Sequence, residues 1–332
     1  MRKISFVSST FEKNSCFEVN GPYNRDGFLN FFVHLKREFL KRGYDLSTSD
    51  VNIPSCSQAI IFNESPKNIK KYISYSHKYL LYLESSLVNR LNNDKLLHNN
   101  YKKIFTWNDD LIDNQLYFKA NYAFELPDKI DKRFKDKKLV CVISAHKKTS
   151  FSNELYSERE KAIKWYQVNA PDDFDLYGIG WDLYKFSIPV ISKILNRILP
   201  IKTKEFSSYR GKVESKNQVL KNYKFTICYE NIYGDRGYIT EKIFDAFVAG
   251  CVPIYLGAPN INEHIPKECF VDKRNFEDYS ELHDYLQCMP EDEYLGYLNA
   301  IDSFFKSARS TQFRAENFAK NIVDEVLKDV GS

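Results

Sequence analysis

No apolar run in this 332-residue chain is long enough to cross a bilayer. The first seven residues lead directly into a strand-like stretch, with no apolar h-region of the kind a signal peptide needs. The expectation is a cytoplasmic protein, at most peripheral on the inner face of the cytoplasmic membrane. Its seven cysteines (Cys16, Cys56, Cys141, Cys228, Cys251, Cys269 and Cys288) are scattered singly. Without a C-x-x-C pair they argue against a disulfide framework or a zinc site, and those inside apolar runs read as buried, reduced thiols. No G-x-x-x-x-G-K-[ST] run exists, which excludes a P-loop. The six histidines show no ligand spacing, no Ser-His-Asp arrangement can be argued, and no internal repeat is visible. A net charge of +4 falls short of a nucleic-acid binder's basic footprint.

What is present is ample apolar material, with 43% hydrophobic and 15% aromatic residues over a length that suits two domains. The recurring unit is a short apolar run, a turn, then a segment of helical periodicity. Residues 4–7 read as a strand. Residues 27–42 place Phe28, Phe31, Phe32, Leu35, Phe39 and Leu40 along a helix that Gly43 closes. Further strands are expected at 58–62, 79–83, 103–106 and 122–126.

Residues 127–138 interleave Lys129, Lys132, Arg133, Lys135, Lys137 and Lys138 with Asp and read as a solvated linker. The alternation then resumes. Strands are expected at 139–144, 174–178, 225–230 and 252–256, and helices at 154–170, 213–222 and 241–249, with three more helical segments to the end. This predicts an α/β protein of two halves, with the ligand in the cleft beyond the carboxyl ends of the strands.

Three other patterns carry less. Gly178-Ile179-Gly180 lacks the third glycine of a dinucleotide fingerprint and reads as a tight turn. Asp173-Phe174-Asp175 has the D-x-D form that can hold a divalent ion, but it precedes its strand rather than following it. Residues 183–204 form a basic amphipathic stretch, which reads as a surface helix capping its domain or as a peripheral membrane contact.

The chemistry concentrates in residues 223–259. The run Tyr223-Lys-Phe-Thr-Ile-Cys-Tyr-Glu-Asn231 is a strand that would place Glu230 and Asn231 at the mouth of the sheet. A loop with Gly234 and Gly237 follows, then Thr240-Glu-Lys-Ile-Phe-Asp-Ala, with Thr240 a suitable N-cap and Gly250 a suitable stop. A helix N-terminus offers free N–H groups and partial positive charge to a phosphate. Lys242 in the first turn opposes the helix dipole, which makes sense if an anion occupies the site, and Glu241 can accept from sugar or ribose hydroxyls.

This segment resembles the donor-site signature of the α-1,3-fucosyltransferases, glycosyltransferase family ten. The matching pieces are Y-K-F-x-x-x-x-E-N, G-Y-x-T-E-K-I-x-D-A and P-I-Y-x-G. Upstream, residues 209–213 and Arg159 also resemble the family. The heptad repeats and basic tail of some bacterial members are absent.

The resemblance implies a GT-B architecture, with two Rossmann-like domains whose parallel sheets face across a cleft. Residues 1–130 would bind the acceptor and carry the catalytic base. Residues 131–332 would bind the donor, with the last helix, 311–330, free to pack back on the first domain. It further implies inverting transfer of fucose from GDP-fucose to the 3-hydroxyl of N-acetylglucosamine, as in N-acetyllactosamine, or of glucose. Lipopolysaccharide O-chains, capsule precursors and free oligosaccharides remain open as acceptors. Arg159 and Lys242 would neutralise the diphosphate, and Asn231, Tyr238 and Glu241 would surround ribose, phosphate and fucose. Glu84, directly after the strand 79–83, matches the family's proposed base, and Glu125 is the runner-up on strand-end logic. No metal or cofactor is required. The alternatives are another GDP-deoxyhexose donor, a non-catalytic GDP-sugar binder, and a metal-dependent transferase using Asp173 and Asp175.

Overall fold

The computed structural model describes residues 1–184 and 201–331. Two compact units emerge from the packing of the chain. The first comprises Met1–Leu126, Asp235–Glu241 and Ser307–Ser332, and the second Pro127–Gly234 and Lys242–Lys306.

The first unit is built on strands β1 (Arg2–Val7), β2 (Tyr44–Thr48), β3 (Ala59–Phe62), β4 (Lys78–Tyr82), β5 (Lys103–Thr106) and β6 (Tyr117–Lys119). They form one parallel sheet in the order β2-β1-β3-β4-β5-β6. The order reverses at β1, so β1 and β3 flank a switch point, the place where sheets of this type take their ligands. The helix Asn30–Lys41 buries Phe31, Phe32, Leu35 and Phe39, and Gly43, at φ +84°, lets the chain turn into β2. Phe31 meets Phe318 of the C-terminal helix Ala315–Val330 edge to face at 5.2 Å. Lys103 on β5 ion-pairs with Glu325 (3.0 Å) and Asp329 (3.2 Å), and Tyr79 on β4 donates to Asp329 (3.0 Å), tying that helix to the sheet.

Two expectations about this unit need correction. No strand runs over 122–126. Phe124 there makes a single parallel bridge to Arg314, and the outer strand is β6 instead. The strand β2 was not expected at all, because Asp45, Ser47 and Thr48 break its apolar pattern. Those polar groups are satisfied locally. Asn52 donates to Asp45 (3.0 Å), Lys36 to Asp45 (3.3 Å) and Ser47 (3.0 Å), and the Thr48 amide donates to Asn14 (2.8 Å).

The second unit holds β7 (Lys138–Ile143), β8 (Phe174–Tyr177), β9 (Tyr223–Tyr229), β10 (Val252–Leu256) and β11 (Val271–Asp272), parallel in the order β11-β10-β9-β7-β8. Its switch point lies between β7 and β9. The helices Tyr156–Asn169 and Glu241–Val248 stand within a residue or two of their expected bounds, and Tyr279–Cys288 and Glu291–Lys306 are among the helical segments expected toward the end. The helix expected over 213–222 shrinks to Lys216–Leu220, capped by Ser215, whose hydroxyl accepts from the Gln218 amide (3.2 Å). The linker expected over 127–138 is only partly solvated. Ile130 and Lys137 are buried, and Lys137 donates to the Gly250 carbonyl at 2.6 Å. Gly250 has φ +65° and a Cβ there would lie 2.0 Å from the Asp131 carbonyl oxygen, so this stop is closed to any side chain.

Most of the amphipathic stretch 183–204 lies outside the described residues. Its ends meet, with Leu183 bridging Lys202 and Tyr184 donating to the Ile201 carbonyl (2.8 Å). Among the described residues, no helix is long and apolar enough to cross a membrane.

Candidate functional site

Strand β9 is buried from Phe225 to Tyr229 and delivers Glu230 and Asn231 at its carboxyl end, beside the switch point. The loop after it is zipped to the entry of the helix Tyr156–Asn169. Leu155 donates to the Asn231 carbonyl (3.0 Å), and Tyr233 donates to that of Asn153 (2.8 Å). This zipper sets Arg159, in the first turn of that helix, against the end of β9. Arg159 is buried, and one of its guanidinium nitrogens donates to the carbonyls of Tyr229 (2.6 Å) and Glu230 (3.1 Å).

The side chain of Glu230 is fully buried and lies 3.0 Å from the ammonium of Lys242, the second residue of the helix Glu241–Val248. Lys242 is itself seated by the Cys228 thiol, which donates to its carbonyl at 3.2 Å. Arg159 and Lys242 thus converge on residue 230 from two helices. Two cationic side chains thus stand at the carboxyl end of β9, one of them in the first turn of the helix Glu241–Val248, and a cation and a helix N-terminus both favour a phosphate. Glu230 was not among the expected site residues, although the E-N pair closing the strand was its signal. Gly257, the glycine of P-I-Y-x-G, makes room for it. A Cβ on Gly257 would stand 2.5 Å from Glu230 Cγ and 2.7 Å from Tyr255 Oη. Asn231, half-buried, follows Glu230 directly in the chain.

The other expected residues fall in the first unit. Glu84 is half-buried and stands two residues beyond the end of β4. Its carbonyl accepts from the buried Asn92 (3.3 Å), and the preceding carbonyl, of Leu83, accepts from the Trp107 indole N–H (2.7 Å). Tyr238 is buried against Trp107, with ring centroids 4.8 Å apart, and Glu241 is half-buried. In the loop leading to them, burial and the neighbouring Asp110 raise the Asp235 carboxyl above its ordinary value. Glu125 loses its strand-end argument with the strand itself. Its carboxylate accepts from Asn30 (2.8 Å) and lies 2.9 Å from His34 Nε2.

The D-x-D pair goes elsewhere. Asp175 sits inside β8, where its carboxylate pairs with Lys138 (2.7 Å) and Arg210 (2.5 Å) and accepts from Tyr223 (2.7 Å). Burial opposes its charge, but the bonds from Lys138, Tyr223 and Arg210 outweigh burial and hold the carboxyl below its ordinary value. A depressed native pKa stabilises the fold fully above the unfolded value of about 4, and that contribution fades as pH falls through the native value. Asp175→Asn should therefore lower the thermal midpoint at pH 7, with a deficit that shrinks progressively as pH falls below about 4. A deficit independent of pH would mean that the carboxylate is not the stabilising group. The Gly178-Ile179-Gly180 turn is structural too, since a Cβ on Gly178 would lie 1.9 Å from the Ser144 carbonyl oxygen. Cys16, Cys141, Cys228, Cys251 and Cys269 are buried free thiols, and burial pushes Cys141 up to about 12.

Two parallel-sheet units of this kind define a GT-B glycosyltransferase fold. The solved structures share it. An α1,3-fucosyltransferase crystallised with GDP aligns over 90% of this chain and 81% of its own, at 15% identity and a TM-score of 0.55. Sucrose-phosphate synthase from Thermosynechococcus elongatus aligns over all of both chains at 9% identity and a TM-score of 0.62. Residues 190–323 match the family model described as glycosyltransferase family 10 (fucosyltransferase) C-term, so the resemblance seen in the sequence is borne out over that segment. The alpha-(1,3)-fucosyltransferase of Helicobacter pylori is 40% identical over 75 residues, 23% of this chain and 16% of that protein. The mouse 4-galactosyl-N-acetylglucosaminide 3-alpha-L-fucosyltransferase 9 is 38% identical over 94 residues, 26% of each. These matches span about a sixth to a quarter of the relatives' length.

Proposed function

We propose that the protein is an inverting, metal-independent glycosyltransferase that moves L-fucose from GDP-fucose to the 3-hydroxyl of an N-acetylglucosamine or glucose residue in an oligosaccharide. The observation that carries this reading is the convergence of Arg159 and Lys242 on Glu230 at the carboxyl end of β9. That arrangement suits a leaving group carrying two phosphates, and the matched relatives bear fucosyltransferase names.

In this scheme Glu84 takes the proton of the acceptor hydroxyl as its oxygen attacks the anomeric carbon. The bond from that carbon to the diphosphate oxygen breaks on the opposite face, and GDP leaves with the electron pair. The transition state resembles an oxocarbenium ion, so a carboxylate on the acceptor face also stabilises it electrostatically. Arg159, Lys242 and the N-terminus of the helix Glu241–Val248 take up the charge that grows on the diphosphate, in the place of a metal. Asn231, Tyr238 and Glu241 would hold ribose, phosphate and fucose.

Transfer to N-acetyllactosamine, assayed with GDP-fucose in the presence of EDTA and against GDP-mannose, tests this directly. Fucosylated product with EDTA present is expected, and little product from GDP-mannose. Activity restored only by a divalent metal would sink the metal-free scheme. Failure to bind any GDP-sugar would sink the donor site. Binding with slow hydrolysis but no transfer would move the error to the acceptor.

A further inference from the structure

Trp107, the residue immediately after β5, is fully buried and no motif singled it out. Its indole N–H donates to the carbonyl of Leu83 at 2.7 Å, one residue before Glu84. Its ring packs against Tyr238, at 4.8 Å between centroids, and against Tyr82 at the end of β4, at 5.7 Å. Its carbonyl is the surface on which Gly237 seats. Gly237 has φ +82°, and a Cβ there would stand 2.4 Å from that oxygen. The same carbonyl accepts from Lys119 (2.6 Å), and the Asp109 amide donates to the Arg236 carbonyl (3.2 Å), so the 236–238 turn is docked on a fixed base. All of these groups belong to the first unit.

We propose that Trp107 is a positioning residue that sets the Gly237–Tyr238 turn of the donor signature and the Glu84 strand end in one register. The inference rests on the reading of Glu84 as the base and of the 235–241 segment as part of the donor site. The physical argument is that one rigid bicyclic ring makes both contacts. The hydrogen bond fixes how far the strand end extends, and the ring face fixes where Tyr238 lies. An error of about 1 Å in a catalytic group costs about 10²-fold in rate. Trp107 touches no reacting atom in this scheme, and it acts through Glu84 and Tyr238.

Trp107→Phe keeps an aromatic ring against Tyr238 but removes the donor to Leu83. The expected result is a kcat for transfer lowered by about ten- to a hundredfold. GDP-fucose affinity, measured by calorimetry, should stay within about threefold of wild type at unchanged stoichiometry. A kcat within about twofold of wild type would overturn the proposal. A second measurement does not depend on the variant folding. In protein labelled with 5-fluorotryptophan, the Trp107 resonance, assigned through Trp165→Phe and Trp181→Phe, should shift when GDP-fucose saturates the site. A resonance unmoved by bound GDP-fucose would overturn it as well. Failure of the underlying reading has a different signature, because Glu84→Gln would then turn over like wild type, or wild type would transfer no sugar.

Discussion

Glu84→Gln is expected to lower kcat for fucosyl transfer by about 10³-fold, within the range of about 10²–10⁴ that a positioned general base contributes, while GDP-fucose binds as before. The amide has the shape of the carboxylate and keeps the packing, but it can neither take the acceptor proton nor stabilise positive charge at the anomeric carbon. Backbone placement is secured independently of the side chain. Asn92 holds the Glu84 carbonyl at 3.3 Å and Trp107 holds that of Leu83 at 2.7 Å, so a loss should report chemistry rather than disorder. Glu125→Gln is the control. Its carboxylate is more than half exposed and engaged with Asn30 and His34, and its loss should leave kcat within about twofold. Steady-state transfer kinetics with isothermal titration of GDP-fucose separate the two. A Glu84→Gln enzyme that keeps more than about a tenth of its activity, or a Glu125→Gln enzyme that loses its own, would remove Glu84 from the mechanism.

The second large effect is expected at Lys242. Lys242→Met removes the cation that the proposed scheme sets against the leaving diphosphate, at an expected cost of about 10²–10³ in kcat by analogy with the loss of one electrostatic stabiliser. It also takes the ammonium at 3.0 Å away from a fully buried carboxylate, that of Glu230. Stability should fall by about 2–3 kcal/mol, less than for a wholly buried pair because Lys242 retains some solvent contact. That corresponds to a thermal midpoint lower by roughly 4–12 °C. The pairing of Lys242→Met with Glu230→Gln separates the two roles. The double variant should recover most of the midpoint and none of the rate, since a neutral amide no longer needs the ammonium whereas the diphosphate still does. Recovery of rate along with stability would show that Lys242 serves only to neutralise Glu230. Arg159 should not tolerate Lys in its place. One guanidinium nitrogen serves the carbonyls of Tyr229 (2.6 Å) and Glu230 (3.1 Å), and a lone ammonium spent on them would have no second nitrogen to offer an anion.

Those two roles were unequally legible. That Lys242 faces an anion could be argued from a cation placed in the first turn of a helix, against the dipole, and the E-N pair marked the end of a strand. That Lys242 also pairs with a carboxylate twelve residues earlier in the chain could not, because the pairing depends on the fold bringing the end of β9 to the first turn of the helix Glu241–Val248. Glu125 shows the same limit from the other side. A short apolar run at 122–126 looks like a strand, yet Phe124 finds its backbone partners in Phe313 and Ala315, nearly two hundred residues away.

By itself the chain determined the alternation of strands and helices, because apolar period and turn chemistry are local properties. The buried strands β4, β5, β7, β9 and β10 all stand where their apolar runs lie. It also carried the signature segment, and the fold shows what three of its glycines are for, since Gly237, Gly250 and Gly257 each stand where a side chain would collide with backbone or with a neighbouring side chain. Only the tertiary structure decided that Asp175 stabilises β8 through Lys138, Arg210 and Tyr223, that Ser307–Ser332 completes the first unit, and that Trp107 links a strand end to the signature turn. Each of these is a contact between residues far apart in sequence. Its free energy comes from burial and from the pairing of polar groups removed from water, and neither exists until the sheets have formed.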